Sequence, residues 1–600
     1  MDRERAHRRR HEGLSVGPGT ARSARVVRDH LARPKSAPKY DPEQRRLLLP
    51  LGWAGEANPA HPPRRPGRTA AALPLGVPVL APQWQPVELT FTGPRVDRPY
   101  IDADPWVDFT HSTGDVVSRP AFWDGGQTWR VRFASVHPDG TWTWRVRSDT
   151  SWTPISGSLT AAPADQAAGH PALRHGFTRL APSGRGLLHA DGTPALVVAD
   201  TAWAMPWRAT VADVRHYAKD RQAKGFNAVL LMSVQPDMRA VGPRGRGVDE
   251  GFEVGFEDLP QGRLTRLNVD YFRYLDEIVR VLVDHGITPV LQPVFHGFGW
   301  KGLDVAGPVV PPDDYARYCR YLLARYGAGP LIYLVGADGA GTEPQIQAGG
   351  QYLHQSDAYG QPTGIHYRPH ARNNAHQDAD WLDFQWCQTG HDADHVPDRV
   401  ATMWRESPVK AVMNGEPTYE HSGRRGKGEG WWQGHEAWSN LCAGAVMGVA
   451  YGAGSLWQWV VRRDEPGHEP FFLAPGAGWR EALAFEGSRY LGLLGQILAG
   501  LPVHETEPCW DVSLCTRGLL KTGELFVGYA EHGGRWVFLD ADGRVPRPYW
   551  LIDPRTGEVL ASGERPAGRT VIQDPSSAEV PAPRVLICSE TPPPFVTPRR

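Results

Sequence analysis

The sequence is short of several things, and each shortage removes a class of protein. No run of about 18 apolar residues occurs, so no segment reads as a membrane-spanning helix, and no membrane partner is expected. Neither sign of charge prevails: Lys+Arg 65 against Asp+Glu 66 gives a formal net charge of -1. There is then no global basic field to gather nucleic acid, and no acidic one to mark a solvating tail. Cysteine is scarce. Cys319, Cys387, Cys442, Cys509, Cys515 and Cys588 are scattered, with no CxxC pair and no scaffold spacing. They read as structural thiols, and only Cys509 and Cys515 stand close enough for a local bridge. The opening MDRERAHRRRHEG is charged but lacks the apolar stretch of a signal peptide. As written, the chain reads as cytoplasmic, with secretion compatible with a misplaced start.

Familiar catalytic motifs are missing too. No G-x-S-x-G element occurs, which argues against a serine hydrolase. Gly336-Ala337-Asp338-Gly339-Ala340-Gly341 follows a predicted strand but matches neither phosphate-binding glycine pattern. The run GRRGKGEG (423–430) has no Ser or Thr after its Lys and reads as a mobile loop over a site entrance. His391 and His395 stand four apart, but HDADH is not H-E-x-x-H and no third ligand is evident. No metal and no cofactor is expected.

What remains is a long chain built from contrasting textures. At 600 residues it exceeds one core, and its Trp count of 23 is high. Some of those indoles would suit stacking on sugar faces. Residues 1–84 are rich in Arg and Pro and read as a solvated, disordered extension. Residues 85–165 carry short alternating runs, PVELTF (86–91), WVDFTH (106–111), TWRVRFA (128–134) and TWTWRVRSD (141–149), bounded by turn residues. That pattern predicts a small antiparallel β-sandwich. Residues 501–592 return to short strands and predict a second one.

Between them, over 172–500, strands and helices alternate. The predicted strands are Ala195–Asp200, Asn227–Val234, Thr288–Phe295, Leu331–Gly336, Thr363–Tyr367, Leu382–Gln388, Val409–Asn414 and Gly448–Trp457. The clearest helix is Tyr271–His285, with Tyr271, Tyr274, Leu275, Ile278 and Leu282 on one face and Gly286 closing it. Eight buried strands with crossover helices predict an α/β fold, a (β/α)8 TIM barrel flanked by the two sandwiches. An open doubly wound sheet is the rival.

Polar side chains recur where these strands end: Asp200 and Trp203, Gln235, His296, Asp338, His366, Gln388 and His391, Glu416, and Tyr451 with Trp457 in strand eight. The strand exits of this fold form its active-site face, so the ring reads as a site. Two carboxyl groups flanking a scissile bond suffice for glycoside hydrolysis, one as acid and one as nucleophile or base. Asp338 and Glu416 suit those roles, with Glu343 and Glu420 as rivals on nearby loops. A spacing of about 5–5.5 Å would indicate retention, and a wider one inversion.

The segment from Gly186 to Trp459 resembles the apiosidase-like glycoside hydrolases. The resemblance rests on ALVVADTAW (195–203), GFNAVLL (225–231), NVDYFRYLDEIVRVLVDHGITPVLQP (268–293), YLVGAD (333–338), DFQWCQTGH (383–391), VMNGEPTYE (412–420) and YGAGSLWQW (451–459). It implies a (β/α)8 glycosidase acting on oligosaccharide or polysaccharide, with Asp338 as acid/base and Glu416 as nucleophile. It also implies Asp200, Gln388 and His391 as substrate contacts. The expected activity is a retaining, exo-acting hydrolysis of side-chain sugars, and a non-catalytic carbohydrate-binding scaffold is the alternative. Ala337-Asp338 stands where the wider clan usually has Asn-Glu, so the particular sugar does not carry over with the chemistry. Residues 86–150 resemble the domain of unknown function that often precedes such barrels. Residues 505–565 resemble a small sandwich, named for collagen binding, that often follows them.

Overall fold

The computed structural model describes residues 79–596, apart from 149–151, 153, 239–253, 298–303, 369–373, 392–396, 422–427, 429, 464–475, 515–516, 540 and 576–581. The Arg- and Pro-rich extension up to residue 78, His395, Cys515 and most of the glycine-rich run at 423–430 lie outside the described residues.

Eight parallel strands close into a barrel in chain order. They are β1 (Val197–Thr201), β2 (Ala228–Met232), β3 (Thr288–Gln292), β4 (Ile332–Leu334), β5 (Thr363–His366), β6 (Phe384–Gln388), β7 (Ala411–Glu416) and β8 (Gly448–Tyr451). Closure is made by β1, which pairs with β2 through Ala199 and Ala228 and with β8 through Val197 and Gly448. Every residue of all eight strands is buried, which explains why they read as apolar runs rather than alternating ones.

Helices between the strands cover the barrel. Helix α1 (Val211–Lys224) opens on a capping box between Thr210 and Asp213, and closes at Gly225 in the left-handed region. Helix α2 (Val269–Asp284) is capped by the Asn268 side chain. It is followed by α3 (Pro312–Tyr326), α4 (Pro344–Ser356), α5 (Pro397–Arg405), α6 (Trp432–Cys442) and α7 (Glu486–Leu498). One expectation is corrected here. Strand eight stops at Tyr451, and Trp457 sits in the one-turn helix Gly454–Trp457, because the chain turns at Gly452 and Ala453.

On the N-terminal side, a five-stranded and a three-stranded sheet share a core of Phe109, Trp129, Val131, Phe133 and Trp142. Strands Pro86–Thr92, Trp106–His111, Thr128–Ala134 and Thr141–Arg147 lie where their alternation placed them. This sandwich grips the barrel through charge. Asp276 on α2 takes hydrogen bonds on both oxygens from Arg325 of α3 and Arg132 of the sandwich, with Nη2 distances of 2.8 and 2.6 Å. Burial pushes the Asp276 carboxyl up, but the two guanidinium groups overcome it and hold it at about 2.

On the C-terminal side, a six-stranded and a three-stranded sheet share a second core around Phe526, Trp536, Phe538 and Leu551. Cys509 is a free thiol whose sulfur donates to Asp511, so it forms no local bridge. This region abuts α6. The Tyr529 hydroxyl accepts from Trp431 Nε1 at 3.3 Å and lies 2.9 Å from His435 Nδ1, while Arg517 donates to Ser439.

Candidate active site

Glu416 ends β7, and its direction depends on an irregularity. The pairing of β6 with β7 runs Cys387 to Asn414 and then jumps to Gln388 with Glu416, leaving Gly415 as the extra residue. Regular alternation would place Glu416 on the same face as Asn414, whose amide lies on the outer side with Thr389 and the α6 carboxylate of Glu436. The bulge turns Glu416 over to the face of Trp386 and Gln388, the interior of the barrel mouth. Only glycine fits at the bulge: a Cβ on Gly415 would lie 1.9 Å from Cε2 of the Trp386 indole.

Two imidazoles hold the Glu416 carboxylate. His391 Nε2 is 2.9 Å from Oε1, and His366 Nε2 is 2.7 Å from Oε2. The other nitrogen of each ring is engaged as well. His366 Nδ1 lies 2.6 Å from the Gln292 amide, and His391 Nδ1 accepts from the Tyr419 backbone at 3.4 Å. With its Nδ1 acting as an acceptor, His391 presents Nε2–H to the carboxylate, whereas His366 Nε2 makes a close ion-pair contact with Oε2. Burial pushes the Glu416 carboxyl up, yet hydrogen bonds and charge from His366 and then His391 hold it well below the usual carboxylate range.

Asp338 stands opposite, in the turn after β4. It adopts φ +59°, left-handed space that Asp enters more readily than most residues, so the turn aims its side chain at the cost of backbone strain. Ligand-type atoms of Asp338, His366 and Glu416 all lie within 4.8 Å of one another, and all three residues are buried. One oxygen of each carboxyl group thus lies within 4.8 Å of an oxygen of the other. This trio has the donors and spacing to hold a divalent cation. The other such group among the described residues, His111, Asp115 and His137 in the N-terminal sandwich, is built differently. Its two imidazoles stack in parallel 4.0 Å apart, so their in-plane lone pairs do not converge.

The other predicted residues divide into two sets. Gln388 faces Glu416 across the β6–β7 pairing, and Trp203 packs edge-on against Phe295 and Trp457 at 4.9 and 5.7 Å. Gln235 accepts from the Gly255 backbone, and His296 lies against the Val294 carbonyl at 3.1 Å. Burial lowers His296 to about 4, with Glu343 opposing, so the ring is neutral at neutral pH. Gln235 Nε2, Gln388 Oε1, His296 Nε2 and Trp203 Nε1 are buried and have no hydrogen-bond partner among the described residues.

Asp200 and Tyr451 go elsewhere. Paired in register, they both point through the outer wall of the barrel. Asp200 accepts from Arg221 Nε at 2.5 Å and Tyr217 at 2.9 Å, both on α1, and the Tyr451 hydroxyl donates to Glu420 at 2.6 Å. Glu420 also accepts from the Gly487 backbone at the start of α7, so this rival carboxylate is a helix cap. The other rival, Glu343, takes a hydrogen bond from Ala340 N at 2.8 Å on Oε1, and its buried Oε2 has no hydrogen-bond partner among the described residues.

Four residues of the site escaped the strand-end reading. Gln292 ends β3 and orients His366. Trp386 packs over Gly415, and Tyr419 carries the backbone N–H that orients His391. Glu436 on α6 accepts from Thr389 Oγ1 at 2.6 Å and Thr418 N at 3.1 Å, tying the segments after β6 and β7 together. Gln292 was open to the same logic as His366, being a polar end to an apolar strand. Nothing in the sequence singles out the other three.

A family model described as "Apiosidase-like, catalytic domain" matches residues 181–505, more than half of the chain, and the "Domain of unknown function (DUF5060)" matches residues 81–149. No curated protein sequence matches. Among solved structures, one described as a glycoside hydrolase superposes with TM-score 0.59 at 19% identity, covering 71% of this chain and 99% of its own. A glycoside hydrolase family 5 protein from Bacteroides vulgatus ATCC 8482 gives TM-score 0.59 at 20% identity, covering 71% and 96%. A proposed glycoside hydrolase from the same organism gives 0.64 at 20% identity, covering 85% and 100%. These likenesses carry the fold, and among the described residues no helix is long and apolar enough to cross a membrane. With the match over the barrel, the chain belongs to the apiosidase-like family of glycoside hydrolases.

Proposed function

We propose that the protein is a retaining, exo-acting glycosidase that removes side-chain sugars from plant or microbial polysaccharide. The observation that carries this reading is the approach of Asp338 to Glu416 within 4.8 Å at the barrel mouth. That spacing suits direct attack by one carboxylate while the other acts as the acid. Glu416, kept anionic by two imidazole donors, attacks the anomeric carbon. Asp338 gives its proton to the glycosidic oxygen, so the carbon–oxygen bond breaks as the glycosyl–Glu416 ester forms. In the second step Asp338 takes a proton from water, which attacks the same carbon and frees Glu416.

Exo action is supported by enclosure. Asp338 and Glu416 are only 1% and 5% exposed, which suits the end of a chain rather than its middle. Trp203, Gln235, His296, His366, Gln388, His391 and Trp457 are the proposed substrate contacts.

The test is turnover of a panel of aryl glycosides and pectic oligosaccharides. On a responsive substrate, Glu416→Gln and Asp338→Asn should each cost at least about a thousandfold in kcat, roughly 4 kcal/mol of transition-state stabilisation. Nuclear magnetic resonance should show the first-formed sugar with retained anomeric configuration. Full activity in both variants would sink the proposal, and an inverted product would sink the retaining step. Saccharide binding without hydrolysis by the wild type would make the chain a binding scaffold.

A further inference from the structure

Among the described residues the alternation of strand and helix lapses once. Helix α4 follows β4 and α5 follows β6, but the described residues between β5 and β6 form turns and no helix. On this flank lies a pocket of about 330 Å³, within the roughly 300–1,000 Å³ typical of ligand sites. One wall is α4, where Gln347, Gln351, His354 and Gln355 share a face by their helical spacing. The other is the segment leading into β6, with Asp378, Asp380 and Trp381. Both walls are fixed. The Trp381 indole lies on α4 at Gly350, where a Cβ would come within 2.4 Å of its Cδ2, and its Nε1 donates to Gln347 at 3.3 Å. Lys410 Nζ holds the same segment by donating to the Ala379 carbonyl at 3.0 Å. The pocket therefore exists before any ligand arrives. It stands apart from the mouth, because α4 ends just ahead of β5 and Trp381 comes three residues ahead of β6, where these strands begin.

We propose that this pocket is a second saccharide site, which holds a neutral stretch of polysaccharide on the flank of the barrel while the mouth works on another part of it. The inference takes one point from the glycosidase reading, that the chain meets a saccharide. The rest follows from the lining. Gln351, His354, Gln355, Asp378 and Asp380 are exposed, and among the described residues their side chains make no hydrogen bond, so their polar atoms are left for a ligand. Each amide offers a donor beside an acceptor and each carboxylate accepts, a combination that neighbouring sugar hydroxyls satisfy. Trp381 adds apolar surface for the C–H side of a ring. A bound metal ion fits less well, since these residues do not gather three ligating groups around one point as Asp338, His366 and Glu416 do. An anion would meet two carboxylates. Holding one polymer at two places raises the local concentration of its other parts at the mouth without a new contact there.

The experiment is affinity electrophoresis of the full chain at pH 7 through native gels containing arabinogalactan, xyloglucan or debranched arabinan. At least one of the three should retard the wild type. Replacing both exposed amides, Gln351→Ala with Gln355→Ala, removes two sets of hydrogen-bonding groups and should weaken that retardation at least about fivefold. Alanine favours a helix at exposed positions, so the unfolding midpoint of this variant should not fall. Asp380→Asn keeps an acceptor and loses the charge, so saccharide binding should stay within about threefold of wild type. No retardation by any of the three polymers, or equal retardation of the wild type and the double variant, would overturn the proposal. So would a collapse of binding in Asp380→Asn, which would mark a cationic occupant instead. Hydrolysis is not measured, so a chain that turns nothing over but is retarded through this pocket fails the glycosidase reading alone.

Discussion

Asp276 and Glu416 are both buried carboxylates held below their ordinary range, but the groups that hold them differ. At the seam between the N-terminal sandwich and the barrel, Asp276 is clamped by two arginines. Arginine does not give up its proton, so the clamp stays charged across the accessible pH range. At the mouth, Glu416 is flanked by two imidazoles, whose Nε2 atoms lie 2.9 and 2.7 Å from its oxygens. A nucleophile, the role proposed for Glu416, gives up its charge when it forms a covalent ester, and an arginine clamp would resist that change. Imidazoles, unlike guanidinium groups, can exchange a proton near neutral pH, so they orient the carboxylate with a lighter grip. The seam is built to keep a charge, and the mouth is built to let one go.

The sharpest way to break the mouth alone is Gly415→Ala. The new methyl would collide with Trp386, forcing the bulge or the indole to move and turning Glu416 away. Activity should fall at least about a hundredfold, with about 1–3 kcal/mol of overpacking cost in urea unfolding. Unchanged turnover would mean the bulge does not aim the nucleophile.

Breaking the seam should do the reverse. Asp276→Asn leaves two buried guanidinium groups short of their counter-charge and should destabilise the protein by about 3–5 kcal/mol, with kcat at 25 °C near wild type. The sign of the pH effect follows. The folded-state pKa is depressed to about 2 from 3.8, so this stabilisation is present above about pH 4 and is lost as pH falls towards 2. Unfolding midpoints measured across that interval should slope in the wild type and flatten in the variant.

His391→Gln is a milder probe of the mouth. Losing one imidazole donor should raise the Glu416 pKa, so the acid limb of kcat/KM should move to higher pH with about a tenfold loss at its plateau. A limb that stays put would take His391 out of the nucleophile's control. The smallest expected effect is none: dialysis against EDTA should leave turnover unchanged. A loss restored by a divalent cation would make Asp338, His366 and Glu416 a metal centre instead.

The barrel was legible because a strand buried on both faces writes itself as an apolar run, and all eight runs were found, although the eighth was carried past Tyr451 to Trp457. The proposed catalytic pair stood out for a related reason, since a charged residue at the exit of such a run needs an explanation. What did not show was direction. Successive side chains alternate between the mouth and the outer wall, and the sequence does not mark where the alternation slips. Asp200 looked equivalent to Glu416, yet it points outward to Arg221, while the bulge at Gly415 reverses Glu416 relative to Asn414. The clamp at Asp276 was invisible because Arg132 and Arg325 lie 193 residues apart in the chain. His395, in the spacing that fell short of a metal motif, and most of the run at 423–430, read as a loop over the entrance, lie outside the described residues.

Helix α6 carries a consequence for how this enzyme could be shortened. One of its faces holds the segments after β6 and β7 through Glu436, and the same helix leans on the C-terminal sheet through Trp431, His435 and Ser439. The last sheet is therefore a foundation rather than an exchangeable appendage. A protein cut after the barrel would expose Trp438 and Trp431 to water and loosen the brace behind Glu416. In this architecture, modularity ends at α6.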